Sequence, residues 1–286
     1  DYSGHILAGY PKAKKYTDFR EMIDKEKEID AVLIGTPDHT HAVIAAYAMK
    51  AGKHVFVEKP LCLNQAELNE ITETYQEAQK NGVTLTVGYN RRFSPFAVKM
   101  KQLSGSGVKN IVATMNAGFI PSEVWVHDLK VGGGRIIGEA CHFIDLCSFF
   151  ADSKVVAVCM NAMGENPEEN TDNASILLRY ENGANAVINY FANGSKSYSK
   201  ERIEIYTQEK TLVLDNWREL KGYGCKGFSK MKKGMDKGHT TQFALLNDRI
   251  QNGGEALIPF DSIVNTAKAS FACIDSLKQN KWIEIE

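Results

Sequence analysis

Lys59 has the sequence setting of a lysine suited to proton transfer. It follows the apolar run His54–Val57 and Glu58, and Pro60 comes next. A lysine at the end of a buried strand is partly desolvated. We expect this to lower the pKa of its ammonium from about 10.4 toward the range useful for general acid–base catalysis. The alternative is an ordinary Glu-Lys pair at a strand end, and position alone does not decide between the two.

The segment 132–145 contains further groups that could act together. Three glycines at 132–134 allow the backbone to approach a ligand closely. On a helix, the spacing of Glu139, His142 and Asp145 puts two acids and an imidazole within about 120° of one another. No second cluster of ligands at metal-binding spacing accompanies them, so we predict no bound metal. The alternative is that His142 is a core histidine bonded to nearby backbone.

Helices and short apolar strands alternate in the first part of the chain, which is typical of βαβ units and a parallel sheet. Thr17 or Asp18 caps the first predicted helix, and Asn64 with Glu67 forms a capping arrangement for another. The predicted elements are a helix from 18, a strand at 29–36, a helix at 41–51, a strand at 54–57, a helix at 64–81 and a strand at 83–88.

Polar groups follow the carboxyl ends of these three strands. They are Thr36-Pro37, Glu58-Lys59-Pro60 and the segment 89–92. In an open parallel sheet, ligands bind outside the carboxyl ends of the strands. We therefore expect the three strand ends to meet at one crevice and to form the functional site.

After Asn90 the pattern changes to many strands with few crossover helices, which predicts a largely antiparallel sheet. We place the domain boundary there, with residues 1–90 and 91–286 as two domains, and we expect 222–238 to be a mobile surface loop. The predicted strands are 111–117, 155–163, 174–180, 186–191, 202–206 and 212–215, and the predicted helices are 94–103, 136–150, 241–251 and 261–279.

Composition excludes several classes of protein. With 34 basic and 35 acidic residues the net charge is −1, which argues against a nucleic-acid or anionic-membrane surface. The six cysteines include no Cys-x-x-Cys pair, so we expect reduced thiols. No apolar run approaches the roughly 20 residues of a membrane helix, and no leader pattern is visible at the start. We therefore expect a cytoplasmic protein with a small-molecule ligand.

The motifs together resemble the Gfo/Idh/MocA family of nicotinamide-dependent sugar oxidoreductases over nearly the whole chain. The second half is more similar still to the dehydrogenase part of bi-domain oxidoreductases, in which a zinc alcohol dehydrogenase-like segment comes first. The motifs are Thr36-Pro37-x-x-x-His41, Gly52-Lys53-His54-Val55, Glu58-Lys59-Pro60 and the glycines before His142-x-x-Asp145, joined in the second half by 89–95, 125–128, 138–143 and 236–239.

The resemblance implies a fold and an activity. The fold is α/β, with an N-terminal Rossmann-type parallel sheet followed by an α+β domain with a large, mostly antiparallel open sheet. The activity is hydride transfer between NAD or NADP and a hydroxyl-bearing carbon of a sugar, sugar acid or nucleotide sugar. Two alternatives on the same fold are a non-catalytic sugar or dinucleotide sensor and an NAD-dependent glycosidase. Because the far face of a broad sheet must be covered, we expect a homodimer or homotetramer.

The resemblance also implies roles for individual residues. Lys59 and His142 are the expected catalytic residues, with Lys59 as proton donor or acceptor at the reacting hydroxyl. The expected cofactor-binding residues are Thr36, Pro37, His41, Glu58, Lys59, Asn90 and Arg91, and the expected substrate-binding residues are Arg92, Trp125, Arg135, Glu139, His142 and Asp145.

The sequence departs from the family pattern at two places. Many relatives have an Asp four residues before the helix histidine, where this chain has Gly138 with Glu139 beside it. We expect the Gly-x-Gly-x-x-Gly turn that follows the first strand in relatives nowhere in this chain. We therefore expect a truncated Rossmann sheet without its first βαβ unit, with Asp1 as a remnant of the acidic end of the second strand.

Overall fold

A computed structural model describes residues 9–285, so the expectation about Asp1 lies outside the described residues. Within this range the first sheet has three parallel strands in the order β1-β2-β3. They are β1 (Ala31–Ile34), β2 (His54–Val57) and β3 (Leu85–Val87). The expected Rossmann-type parallel sheet is confirmed.

Local sequence signals determine where the helices of this sheet begin. Asp18 caps α1 (Phe19–Lys25) by accepting a hydrogen bond from the amide of Arg20. The amide of Glu67 donates to Asn64 at 3.0 Å, and the Glu67 carboxylate accepts from the amide of Leu63 at 2.8 Å. These bonds satisfy amides that the first turn of a helix leaves without partners. The remaining two helices are α2 (His41–Lys50) and α3 (Gln65–Ala78).

The second sheet has nine strands in the order β11-β10-β9-β8-β4-β7-β6-β5-β12. Within this second sheet, β4 and β7 are the only described neighbours that pair in parallel; the other described neighbours are antiparallel, which confirms the expected sheet. The strands are β4 (Asn110–Asn116), β5 (Val155–Ala162), β6 (Asn173–Tyr180), β7 (Asn185–Phe191), β8 (Glu201–Thr207), β9 (Lys210–Asp215), β10 (Glu219–Tyr223), β11 (Lys230–Lys232) and β12 (Ile283–Glu284).

One face of this sheet is covered by helices and forms the larger core. The fully buried Phe143 and Ile144 lie in it with strand residues such as Ile176 and Ile203. The helices of this half are α4 (Pro95–Ser104), α5 (Cys141–Ala151), α6 (His239–Asn252) and α7 (Phe260–Gln279). Among residues 9–285, no helix combines the length and the apolar character needed to cross a membrane.

The last two helices return to the first sheet. The Phe243 ring packs on Phe56 at 4.8 Å between centroids, and the Gln242 amide donates to the carbonyl of Val87 at 2.9 Å. The smaller core therefore combines residues that precede position 90 with residues of the last part of the chain, such as Ile258 and Ile263. We propose that residues 1–90 and 91–286 are the two domains. Residues of α6 and α7, in the second domain, also pack in the core of the first sheet.

The segment 222–238 differs from the expected mobile loop. It contains the end of β10 and the whole of β11. These two strands pair with each other, and Leu220 lies opposite Met231. Leu220 is fully buried in the larger core, and Met231 packs against that core. The sequence did not indicate this hairpin, because glycines and lysines are frequent in the segment and only a few of its side chains are apolar.

Candidate active site

A buried histidine joins the segments that follow two of the parallel strands, β1 and β2. The ring nitrogens of His41 lie 2.7 Å from the carbonyl oxygen of Pro60 and 2.9 Å from that of Thr36. These carbonyls belong to the segments that follow β2 and β1. The His41 ring is therefore used inside the protein, where it joins two strand ends, and Thr36 and Pro37 remain exposed beside it.

Lys59 crosses from the end of β2 to the turn that precedes α5. Its Nζ atom donates to the carbonyl oxygen of Gly138 at 2.9 Å and to Oε2 of Glu139 at 3.0 Å. The turn is a π-helical segment, Ile136–Ala140, that leads directly into α5. The Lys59 and Glu139 side chains are 20% and 17% exposed, so the pair is largely withdrawn from water. This contact joins the parallel sheet to the second half of the chain.

The expected lowering of the Lys59 pKa is wrong. Burial is the largest single effect and lowers the pKa of the ammonium, but Glu139, Cys141 and Asp38 together outweigh burial, and the pKa of Lys59 lies above its ordinary value. The pKa of Glu139 is lowered, because Lys59 and Arg91 overcome the effect of burial on the carboxylate. At neutral pH the pair is an ammonium and a carboxylate. The position of Lys59 in the sequence could not reveal the direction of its pKa shift, since Glu139 is 80 residues away.

His142 lies in the first turn of α5 and is 5% exposed. Its ring faces Tyr89 edge-on, at 6.2 Å between centroids. Burial, with the positive charges of Arg91 and Lys59, lowers the pKa of the ring well below its usual value. The buried Nδ1 atom has no hydrogen-bond partner in the described part of the chain. His142 is therefore a neutral imidazole, and its pKa is lowered partly by the Lys59 charge. The alternative, in which Nδ1 is bonded to nearby backbone, does not hold among the described residues.

Glu201 is fully buried and is the centre of an ion cluster with Arg91 and Lys237, whose positive charges also lower the pKa of His142. Its carboxylate accepts two bonds from Arg91, at 2.8 and 2.9 Å, one from Lys237 Nζ at 2.6 Å and one from the Trp217 indole at 2.7 Å. Burial raises the pKa of Glu201, but the lowering by Arg91 and Lys237 is stronger, and the pKa is about 2. The Asn90 amide also donates to the carbonyl of Lys237 at 2.7 Å. Asn90 and Arg91 therefore anchor β8 and the segment before α6.

Arg92 and Asp145 form a second buried ion pair. Arg92 Nη2 lies 2.5 Å from Oδ1 of Asp145, and Arg92 Nε lies 3.0 Å from Oδ2. The side chains are 9% and 1% exposed. Both oxygens of Asp145 accept from Arg92, and the carboxylate is almost completely buried, so the described structure shows Asp145 bonded within the protein. The pair instead holds α5 against the segment after β3.

The structure brings together only some of the expected site residues. Lys59 and Glu139 are in contact, and Arg135 Nη2 lies 4.0 Å from the Glu139 carboxylate. His142 is near enough for the Lys59 charge to lower the pKa of its ring. The Arg135 guanidinium also donates to the Tyr190 hydroxyl at 2.6 Å. Glu58 is half-buried at the same strand end, and Trp125 is 45% exposed in a short turn. In the described range, no group of three or more His, Cys, Asp or Glu side chains is arranged to hold a metal ion.

Four residues near the site were not identified from the sequence as site residues. Asp38, Glu201, Lys237 and His239 all contribute to the electrostatics of the Lys59 and His142 neighbourhood. Burial lowers the pKa of His239, which lies at the start of α6. The motif at 236–239 was a usable signal for Lys237 and His239. Glu201 carried no local signal, because it lies at the start of an otherwise ordinary strand.

A Gly-x-Gly-x-x-Gly spacing occurs once in the chain, at Gly222, Gly224 and Gly227, and it was overlooked among the lysines and glycines of that segment. It lies in the hairpin between β10 and β11. A phosphate-binding turn needs a helix N-terminus directly after it. Here an antiparallel strand follows instead, so the spacing does not form such a turn.

Both halves of the chain match known protein families. Residues 4–89 match the family described as "Oxidoreductase family, NAD-binding Rossmann fold", and residues 107–213 match the "GFO/IDH/MocA C-terminal domain". A myo-inositol 2-dehydrogenase of Thermotoga maritima is 30% identical over 213 residues, which cover 72% of this chain and 62% of that protein. An uncharacterized oxidoreductase, YrbE, of Bacillus subtilis is 30% identical over 208 residues, 71% of this chain and 60% of that protein. The chain thus spans less than two thirds of the length of these relatives.

Solved structures share the fold. An oxidoreductase domain protein from Kribbella flavida has a TM-score of 0.83 at 23% identity, covering 94% of this chain and 84% of its own. The protein GenD2 from gentamicin A biosynthesis, solved in complex with NAD, has a TM-score of 0.78 at 20% identity, covering 99% and 86%. At this level of identity the likeness extends to the fold alone.

Proposed function

The chain belongs to the Gfo/Idh/MocA family of oxidoreductases, whose N-terminal domain binds NAD, and on that basis we propose that it is a nicotinamide-dependent dehydrogenase of polyhydroxylated substrates. The reaction is hydride transfer between the cofactor and a hydroxyl-bearing carbon of a sugar, sugar acid or nucleotide sugar. The relatives named as inositol dehydrogenases support a cyclic polyol or sugar as the substrate class.

The observation that supports this proposal most directly is the position of Lys59. Its ammonium lies at the carboxyl edge of the parallel sheet, where open α/β sheets bind ligands. It is held there by Glu139 at 3.0 Å, and the neutral His142 ring lies in the same neighbourhood. A fixed cation next to a neutral imidazole at this edge is suited to a reaction in which a hydroxyl oxygen gains negative charge.

The residues at this edge fit a nicotinamide cofactor, NAD or NADP. The buried Nδ1 of His142 has no partner among the described residues, as expected of a ring that bonds to a bound molecule. We propose that Thr36, Pro37 and Glu58 border the cofactor, because Thr36 and Pro37 are exposed after β1 and Glu58 is half-buried after β2. When bound, the nicotinamide supplies the acceptor or donor of the hydride.

Lys59 and His142 act on the oxygen of the reacting hydroxyl. Because Lys59 is an ammonium at neutral pH, it donates a hydrogen bond to that oxygen and stabilises the negative charge that develops as the carbon is oxidised. Glu139 fixes the direction of the ammonium. His142, which is neutral, accepts a hydrogen bond from the hydroxyl and positions it, and its ring takes up the O–H proton as the O–H electron pair forms the carbonyl bond and the C–H electron pair leaves as hydride.

We propose different roles for the other residues first assigned to the site. Arg135 and Trp125 border the substrate, since both lie on the segment that precedes α5. The residues whose polar groups are used within the protein act by positioning the strand ends and α5: they are His41, Asn90, Arg91, Arg92 and Asp145.

The proposal is tested by binding and then by turnover. The chain is titrated with NADH and with NADPH, and energy transfer from its three tryptophans to the nicotinamide is followed. A screen of inositols, sugars, sugar acids and nucleotide sugars then follows cofactor reduction. We expect saturable binding and reduction of the cofactor by at least one polyol. Binding without turnover would favour the sensor, and release of free sugar from a glycoside without net cofactor reduction would favour the glycosidase.

We also propose that the nine-stranded sheet mediates self-association. Its uncovered face presents Leu177 and Tyr206, which are 37% and 41% exposed. Exposed apolar groups on a broad sheet are typical of a surface that pairs with another copy. Light scattering should give the mass of a dimer or a tetramer, and a stable monomer would contradict this proposal.

A further inference from the structure

Arg135 uses only part of its hydrogen-bonding capacity within the protein. Its Nε and Nη2 atoms both donate to the Tyr190 hydroxyl, at 3.0 and 2.6 Å, and its Cζ atom lies 5.7 Å from the centre of the Tyr190 ring. A guanidinium has five N–H groups in a planar fork. The side edge of the fork, Nε with Nη2, is therefore bound to Tyr190. The end edge, formed by Nη1 and the second N–H of Nη2, is left over.

The position of this fork is fixed from two directions. Tyr190 is fully buried in the larger core on β7. The glycines at 132–134 hold the backbone that carries Arg135: a Cβ atom on Gly132 would lie 2.8 Å from the carbonyl oxygen of Trp125, and φ is +67° and +75° at the next two glycines. These contacts orient the guanidinium before a ligand arrives, which lowers the entropy cost of binding.

No carboxylate of residues 9–285 forms a hydrogen bond with Arg135. The nearest carboxylate oxygen, Oε2 of Glu139, lies 4.0 Å from Nη2 and accepts instead from Lys59 Nζ at 3.0 Å. Nη1 has no hydrogen-bond partner in the same range and is not enclosed by the protein. The Arg135 side chain is only 12% exposed. A guanidinium without a bonded counterion is costly in such a place unless a ligand supplies one.

The charges around the end edge favour an anion over a neutral ligand. Lys59 and Arg135 carry two positive charges, and Glu139 carries one negative charge. Asp38 also acts on Arg135, but without a direct contact, and burial raises the pKa of Asp38 to about 7, so it is only partly ionised at neutral pH. The end edge of a guanidinium matches two oxygens of one carboxylate or phosphate group through two parallel N–H···O bonds.

We propose that Arg135 binds an oxyanion of the substrate and that Tyr190 positions it for this contact. The proposal rests on the proposed hydride transfer and narrows its substrates to those that carry a carboxylate or a phosphate, namely sugar acids and nucleotide sugars. Lys59 and Arg135 both approach the same oxygen of Glu139. One ligand can therefore place its reacting hydroxyl at Lys59 and its oxyanion at Arg135.

Calorimetric titration of the protein, with and without NADH, tests the preference for an anion. The probes are D-glucose, D-glucuronate, UDP-glucose and UDP-glucuronate, with their four galactose counterparts. We expect at least one charged probe to bind about 10- to 100-fold more tightly than its neutral sugar, and Arg135→Gln to remove that difference while the neutral sugar binds as before. Arg135→Lys keeps the charge without the fork and should restore part of the difference. Arg218→Gln, which changes an exposed arginine between β9 and β10, is the matched control.

The same titrations distinguish the two sources of the oxyanion. If it is a carboxylate, Arg135→Gln weakens the binding of both uronates and leaves UDP-glucose unchanged. If it is a phosphate, the variant weakens the binding of both UDP-linked probes and leaves the free uronate unchanged.

Tyr190→Phe tests the positioning of Arg135. The variant keeps the buried ring and removes the hydroxyl that binds the side edge. For the preferred charged substrate we expect KM to rise about 5- to 10-fold with kcat little changed, and the Kd of the neutral sugar to stay the same.

Equal affinity for charged and neutral probes overturns the proposal, as does an Arg135→Gln variant that keeps the preference of the parent. A loss of NADH affinity in Arg135→Gln as large as its loss for the charged probe also overturns it, because Arg135 would then bind the cofactor. Binding of a charged probe that depends on Arg135, without cofactor reduction by any substrate, would count against the proposed function instead.

Discussion

The Nζ atom of Lys59 lies 3.0 Å from Oε2 of Glu139, although 80 residues separate them. The contact connects the end of β2 to the turn before α5, and both side chains are largely buried. A charge so enclosed is stable only because its counterion is held next to it. The ion pair therefore holds Lys59 at the junction of the two sheets.

Replacing Lys59 tests its role in the reaction. We expect Lys59→Ala to lower kcat by about 10²- to 10⁴-fold, because the charge on the reacting oxygen loses its stabilising cation, while cofactor affinity stays nearly unchanged. Steady-state kinetics and the tryptophan titration measure the two quantities. Lys80→Ala, an exposed lysine paired with Glu77, is the matched control. Equal kcat values for Lys59→Ala and the parent would exclude the proposed role.

The His142 ring should stay neutral at pH values where an ordinary histidine is protonated. Burial and the positive charges of Arg91 and Lys59 lower its pKa well below about 6.5. Nitrogen NMR of the ring, assigned with His142→Gln, measures its protonation directly. We expect His142→Gln to reduce kcat less than Lys59→Ala does, since His142 positions the hydroxyl. A ring that titrates at the usual value would contradict the description of the site.

Glu201 should make the folded state sensitive to acid. Its pKa is about 2 in the folded protein and about 4.5 when unperturbed, so the unfolded state binds the proton first as the pH falls. The stabilisation, about 3 kcal/mol at neutral pH, is therefore lost as the pH falls from about 5 toward 2. We expect Glu201→Gln to unfold more easily at neutral pH, with the difference from the parent narrowing in acid. Urea unfolding over a pH series measures this, and parallel curves would refute it.

The Arg92 and Asp145 pair should be strongly coupled. Asp145→Asn leaves the Arg92 guanidinium buried without its counterion, which costs about 3–5 kcal/mol of the free energy of unfolding. The double variant Arg92→Met with Asp145→Asn should cost less than the sum of its two single changes, because no charge remains buried. Glu21→Gln, which breaks an exposed pair on α1, serves as the control. Strictly additive effects in a double-mutant cycle would show that the two side chains do not depend on each other.

Much of the local structure could be predicted from neighbouring residues. The strand at His54–Val57 has the predicted bounds, and Asn64 with Glu67 forms the predicted cap. Such features depend on backbone propensities and on hydrogen bonds a few residues apart. The hairpin in 222–238 was missed, because its strands are short and polar and depend on pairing with β9.

The sequence by itself determined the kinds of element, their order, the change from a parallel to an antiparallel sheet and the position of Lys59 at a strand end. All of these follow from the periodicity of apolar residues and from capping residues within one or two turns. Only the tertiary structure decided which charges meet. Asp38 beside Gly138, Arg91 on Glu201 and Arg92 on Asp145 are contacts between distant segments. The pKa of each group depends on its burial and on the charges around it, and neither exists until the chain is folded.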